Sequence, residues 1–489
     1  MQFQTKTPLV DTLKELAGKP HAAFYAPGHK RGEGTPKILA QLLGKEVFKA
    51  DLPELPELDN LFAPEGVIEE AQQLAAEAFG AQKTWFLVNG STCGIVAAIL
   101  ATCGEGDKII LPRNIHQSAI AGLILSGAVP VFINPEYDRD FDLVYSIAPV
   151  ALKTALEQHP DAKAVMTVYP TYQGVCGDLE AIAQLTHKYN IPLLVDEAHG
   201  AHFTFHPDLP PSALSCGADL TVQSIHKVLG AMTQASMLHT QGVRVDTSKI
   251  SKALQLLETT SPNYILLASL DAARQQMALQ GKQLLTRTLE LADRARNQLG
   301  KISSLSILKK SDRPISGFYI LDRTRLTVNV SKLGLTGFEA DEILHQKLGV
   351  TAELPMLQHL TFIITIGNQQ SDIDHLVKAF TDLVSLAGKK DSISPPHPLT
   401  PSPPHPLTPS ISPREAFFAS TETVPIETSA GRINTEILCP YPPGIPILMP
   451  GEEISRTAIE YLQENRDRGA IITGCSDLTL NTLKVLRKY

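Results

Sequence analysis

The chain has 489 residues, 43% of them hydrophobic, and a formal net charge of −8 at neutral pH. That length allows two or three domains with sizeable cores, and the negative balance suggests no nucleic-acid surface. No stretch is apolar for long enough to span a bilayer, MQFQTKTPLVDTLKELAGK lacks a secretory h-region, and six scattered cysteines without CxxC spacing read as reduced cytoplasmic thiols.

Residues 1–65 read as an irregular N-terminal arm with one short helix, Leu9–Leu16, of the kind that packs on a partner subunit or rims a site. Residues 66–300 form a large domain. From Thr84 to about His239, short apolar runs (TWFLV, DKIIL, VPVFI, AVMTVY, IPLLVD, LTVQS, ASMLH) alternate with helical stretches such as Ala119–Ser126 and Leu179–Tyr189. Such alternation predicts an α/β sheet, mostly parallel and covered on both faces. A long helical segment leaves from Pro262. A small α/β domain follows over 301–390, with strands near Gly317–Leu321, Leu326–Val330 and Thr361–Ile366. Residues 391–431 are a linker. Within it SPPHPLTP occurs at Ser394–Pro401 and again at Ser402–Pro409, a composition that builds no core. Residues 432–489 form a C-terminal α+β domain ending in a helix near Leu478–Arg487.

Ligands of such sheets sit at the carboxyl ends of the strands, and three candidate elements fall on that edge. IPLLVDEAHG delivers Asp196 from a buried strand, and TVQSIHKVLGAMTQAS delivers Lys227 from another. An acid and a lysine so placed suit pyridoxal 5'-phosphate (PLP): the lysine holds the cofactor as a Schiff base, and the acid keeps its ring nitrogen protonated. A surface lysine and a helix-capping aspartate are the plainer readings. The third element, Asn89-Gly90-Ser91-Thr92 at a strand-to-helix turn, offers free N–H groups and hydroxyls to a phosphate. A simple N-cap by Ser91 is compatible with that role. His199, His202 and His206 in DEAHGAHFTFH raise a metal cluster, but no spacing matches a familiar zinc motif and no metal is expected.

The segment from Val222 to Ser236 resembles the lysine-site signature of the bacterial Orn/Lys/Arg decarboxylases, which are PLP enzymes of fold type I. FYAPGHKRG (24–32), ELDNLFAPEG (57–66), LVNGSTCGI (87–95), PRNIHQS (112–118), TSPNY (260–264) and PYPPGIPILMPGE (440–452) resemble further family blocks in family order. Only the proline-rich insert stands outside. The resemblance implies an aspartate-aminotransferase-like fold and the release of CO2 from a basic amino acid. Arginine is favoured, to agmatine, with lysine to cadaverine or ornithine to putrescine also open.

By the same resemblance His199 lies beside the cofactor, His116 stacks on its ring, and Ser224 and His226 join Gly90, Ser91 and Thr92 on the phosphate. Thr259 and Ser261 reach a neighbouring subunit's phosphate site, which implies a homodimer or higher assembly with shared sites. Glu452 is a candidate for the substrate's distal cation, although a buried proline turn explains MPGE equally well. Glu197 is placed behind the site, and Cys93 near it without a catalytic part. His199 and Lys227 are both candidate proton donors. Three other readings stay open: an aminotransferase or other PLP lyase on the same fold, a metal-dependent hydrolase, and a non-catalytic relative.

Overall fold

The computed structural model describes residues 2–310, 315–387, 409–441 and 444–487. The tandem proline-rich repeat falls almost wholly within 388–408, outside the described residues. Seven strands fall on the seven apolar runs: β1 (Lys83–Leu87), β2 (Lys108–Pro112), β3 (Val129–Ile133), β4 (Ala164–Val168), β5 (Leu193–Asp196), β6 (Leu220–Gln223) and β7 (Ser236–Thr240). Their residues are almost all buried, as strands covered on both faces require. The architecture is α/β with a mostly parallel central sheet.

Two compact units divide the chain: Met1–Ala101 with Asp196–Leu285, and Thr102–Val195 with Thr286–Tyr489. In the first, β7 lies between β1 and β6 and runs antiparallel to both, with Lys83 opposite Thr240 and Met237 opposite Gln223. β1 and β6 are therefore parallel to each other. The helix Gly90–Thr102 lies so close to these strands that a Cβ at Gly94 would stand 2.7 Å from both Leu87 Cδ1 and Val222 Cγ1. Any larger residue there would lift the helix, so Gly94 sets the height of its N-terminus over the strand ends.

The N-terminal stretch is more helical than its turns suggest. Pro8–Gly18 contains the expected helix, and Lys37–Leu43 and Lys45–Ala50 add two more around Gly44, whose φ is 78°. This arm is anchored on its own chain. Fully buried Arg274, in the helix Tyr264–Leu299, donates to Gln4 O at 2.9 Å and pairs with Asp271, which accepts the Leu9 N–H at 3.0 Å. A buried guanidinium requires such partners, and the arm supplies them.

In the second unit β2 runs parallel to both β3 and β4. A smaller antiparallel sheet has the order Ser306–Ile307, Arg325–Asn329, His359–Ile363, Leu354–Pro355. Its core includes Leu326, Val328, Leu360 and Phe380. The strand expected over Gly317–Leu321 shrinks to Ile320–Leu321 and pairs with Val175–Cys176 instead of joining that sheet. The cause is a close approach: at Gly317 (φ 79°) a Cβ would come 2.3 Å from Ser146 O, so the backbone is drawn onto another loop.

The helix expected near Leu478–Arg487 is a strand, Thr482–Leu486, antiparallel to Thr421–Pro425. Leu483 and Val485 are buried and alternate with Thr482 and Lys484 on the other face. That period of two identifies the segment, and its leucine content masks it. Among the described residues no helix is long and apolar enough to cross a membrane.

Candidate active site

The first unit gathers most of the expected residues. After β6 the chain makes a short helical turn, Ile225–Val228, that presents Lys227 half-buried. Its Nζ lies 3.1 Å from His199 Nε2, close enough for one to donate a proton to the other. His199 is 5% exposed and stands three residues beyond Asp196, the last residue of β5. Asp196 is 8% exposed, and its Oδ1 accepts the Ala198 N–H at 3.1 Å. The turn between them is tight: a Cβ on Gly200 would lie 2.8 Å from Glu197 Cγ and 2.9 Å from Phe203.

Glu197 is a larger structural element than the sequence suggests. Fully buried, it accepts the Ala213 N–H at 2.8 Å, and the Thr221 hydroxyl and Gln223 Nε2 at 2.9 Å each. Gln223 continues to His239 Nε2 (3.2 Å) and His239 Nδ1 to Thr84 (2.8 Å), a polar chain through the packed interior. Burial drives the Glu197 carboxyl up to about 7 against these hydrogen bonds, and drives His239 down to about 3. A raised carboxyl pKa makes the folded state bind more protons than the unfolded chain. Its stabilising contribution is therefore complete below the unfolded value of 4.5 and is lost as pH rises through about 7. We expect Glu197→Gln to flatten the fall in stability over that window, by about 3 kcal/mol. Melting curves of both proteins across pH check it, and superimposable slopes would refute it.

The strand-to-helix turn after β1 carries the second group. Gly90 adopts φ 74°, and a Cβ there would meet nothing within 4 Å, so the backbone faces open space. Ser224 donates its hydroxyl to Ser91 Oγ at 2.7 Å, which puts two hydroxyls at the start of a 13-residue helix. Thr92 is exposed, and His226 is half-buried with its pKa lowered first by burial and then by the Lys227 charge. Cys93 is buried and contacts Gly90 O and Glu258 Oε1 at 3.0 Å each, and burial with the nearby acid pushes its thiol up. A buried thiol held protonated in this way is a poor nucleophile.

Glu258 was not singled out in the sequence. Its carboxyl accepts the Val88 N–H at 3.3 Å, while Asn89 Nδ2 reaches Leu257 O at 3.3 Å. The loop before the helix Tyr264–Leu299 is thus tied to the strand-to-helix turn, and the only signal for it was an acid directly preceding Thr259. Thr259 and Ser261 are exposed, with Thr259 Oγ1 accepting the Ser261 N–H at 3.1 Å.

His116 and Glu452 belong to the second unit. His116 caps the helix Gln117–Ser126, its Nδ1 accepting the Ser118 N–H at 3.1 Å, and Gly444 passes beside its Nε2 edge. Glu452 is 1% exposed and pairs with Arg113 at 3.0 Å while accepting the Met449 N–H at 2.9 Å. Arg113 also donates to Pro446 O and Ile447 O, so the pair braces the proline-rich turn of the MPGE block. His202 packs on Phe203, and His206 Nδ1 accepts the Asp208 N–H at 3.1 Å. Among the described residues no group of three His, Cys, Asp or Glu side chains is placed to hold a metal.

Comparison with known proteins bears on this geometry. Residues 7–316 match the Orn/Lys/Arg decarboxylase major domain, and residues 399–474 match the C-terminal domain of the same family. The chain belongs to the Orn/Lys/Arg decarboxylase family. Its members are PLP-dependent carboxy-lyases, as the lysine-site resemblance implied. The arginine decarboxylase of Bacillus subtilis (strain 168) is 40% identical over 99% of both chains. That of Bacillus anthracis is 39% identical over 99% of this chain and 98% of its own. Among solved structures, the constitutive lysine decarboxylase of E. coli superposes with a TM-score of 0.84 at 21% identity, covering 99% of this chain and 82% of that one. The alanine–glyoxylate aminotransferase of Nostoc sp. gives a TM-score of 0.54 at 18% identity over 66% of this chain and 89% of its own. These two show the fold-type-I architecture shared by the family and by aminotransferases.

Proposed function

We propose that this chain removes CO2 from arginine to give agmatine, using PLP held by Lys227. The observation that carries the proposal is the Lys227–His199 contact at 3.1 Å in the same unit as buried Asp196 and the Ser91–Ser224 turn. The donor set fits the cofactor. An amine can reach its aldehyde, a buried carboxylate can face a ring cation, and a glycine turn with two hydroxyls opens a helix N-terminus to a dianionic phosphate. When bound, PLP acts as the electron sink for the pair released from the Cα–carboxylate bond.

The protein's own residues do the rest. Asp196, fixed by the Ala198 N–H, holds negative charge where a protonated ring nitrogen requires it. Lys227 and His199 share a hydrogen bond, so a proton can sit on Nζ or on Nε2 and be delivered to Cα from either. Glu197 anchors the turn that orients Asp196 and His199. In this reading His116 covers the cofactor ring, and His226 and Thr92 support the phosphate turn. Exposed Thr259 and Ser261 face a second copy in a cytoplasmic homodimer. Glu452 has a partner in Arg113 already, which supports its bracing role over contact with the substrate.

Arginine is favoured over lysine and ornithine because relatives near 40% identity across the full chain bear that activity in their names. Separate assays of CO2 and amine from the three amino acids test the proposal. Arginine should exceed the others in kcat/KM by about tenfold or more, since a site built for one polar end group leaves partners unpaired with another. A lysine or ornithine preference would reassign the substrate, and keto-acid product without CO2 would replace the reaction with transamination.

A further inference from the structure

A cavity of about 460 Å³ opens in the second unit beyond the carboxyl ends of β2, β3 and β4, where Asn114, Asn134 and Thr171 reach its wall. All its lining residues lie within that unit. Its volume is that of a small-molecule pocket. One charged side chain in it lacks a counter-ion. Asp142, half-buried, accepts the Tyr137 hydroxyl on Oδ1 and Gln358 Nε2 on Oδ2 at 3.1 Å, and no cationic side chain among the described residues pairs with it.

The two basic side chains on the cavity wall, Arg113 and His359, are engaged elsewhere. Arg113 is taken up by Glu452 and two backbone carbonyls. His359 is held neutral, its pKa pushed down to about 3 by burial, and it contacts Asn329 at 3.1 Å. Glu464, the acid that acts on Asp142 through space, has Arg468 at 2.6 Å. Burial raises the Asp142 carboxyl against the opposing Tyr137 hydrogen bond, and Glu464 adds to the rise, so a cation would relieve an existing penalty. A carboxylate has about four lone-pair positions, and two are filled here. The remainder suit the two parallel donors of a guanidinium. Tyr137 and Tyr461 add aromatic rings to the cavity wall beside Asp142, and Val144, Met356 and Ile445 add apolar side chains suited to an alkyl chain.

We propose that this cavity binds an aliphatic guanidinium, its head on Asp142 and its chain along Val144 and Met356, at a site that the decarboxylation reading does not use. The probe is n-butylguanidine, which has no primary amine to react with a cofactor aldehyde, titrated calorimetrically into the full-length holoenzyme. Binding should weaken at least tenfold in Asp142→Asn, and likewise in Val144→Phe, which fills the cavity without changing charge. Neither variant should change the KM for arginine. Butylguanidine binding that is absent from the wild-type chain or intact in both variants overturns the proposal. A parallel rise in the KM for arginine in both variants also overturns it, by making the cavity part of the substrate site. The binding arm reads the same whether or not the chain decarboxylates arginine, so failure of the reaction and failure of the site are separable.

Discussion

Lys227→Ala is expected to abolish decarboxylation, with a loss on the order of 10⁴-fold or more, because it removes the amine proposed to hold the cofactor covalently. Its lost contact at His199 Nε2 is at a half-buried position, so the protein should remain folded. Two readouts are needed: CO2 from arginine, and the visible absorption of lysine-bound cofactor. Both should disappear while the melting temperature stays close to wild type. Residual activity within tenfold of wild type, or absorption that persists, would remove Lys227 from the site and with it the lysine-site reading of Val222–Ser236.

Asp196→Asn has the second largest expected effect, because it removes charge while preserving shape. Asparagine keeps an oxygen to accept the Ala198 N–H, so the turn should hold. What is lost is negative charge in a site only 8% exposed, where a charge acts through few screening waters. Removing one preorganised electrostatic partner of this kind costs on the order of 10²–10⁴-fold in kcat. The loss should fall on kcat more than on KM, since the interaction matters most when charge develops. Steady-state CO2 release checks the split. A variant within threefold of wild-type kcat would show that Asp196 is a turn residue and that another group holds the ring cation.

The elements that deliver the site were legible because their signals are local. IPLLVD and LTVQS are apolar runs of strand length; the first ends in Asp196, and the second leads within four residues to Lys227. The Asn89–Thr92 turn announces itself by glycine and hydroxyls between a strand and a helix. The failures occurred where the signal was long-range. Thr482–Leu486 was misread because its leucines hide a period of two that matters only once Thr421–Pro425 lies alongside. Gly317–Leu321 carries strand-forming residues, but its partner is chosen by the close approach of Gly317 to Ser146. The arm's attachment to Asp271 and Arg274 spans more than 260 positions and leaves no pattern within either segment.

By itself the sequence determined the α/β class and the family, and it singled out Lys227, Asp196, His199 and the Asn89–Thr92 turn as the candidates on which the proposed site rests. All of these rest on residue type, local period and short spacing, which act within a few residues of chain. Only the tertiary structure decided that Glu197 anchors a buried polar chain, that Glu258 ties the Thr259–Ser261 loop to the strand-to-helix turn, and that Glu452 is engaged by Arg113. It alone shows Asp142 in a cavity without a cationic partner among the described residues. The physical reason is common to the four. An acid's role is set by how far burial strips its water and by which donors replace it, and those donors arrive from distant parts of the chain.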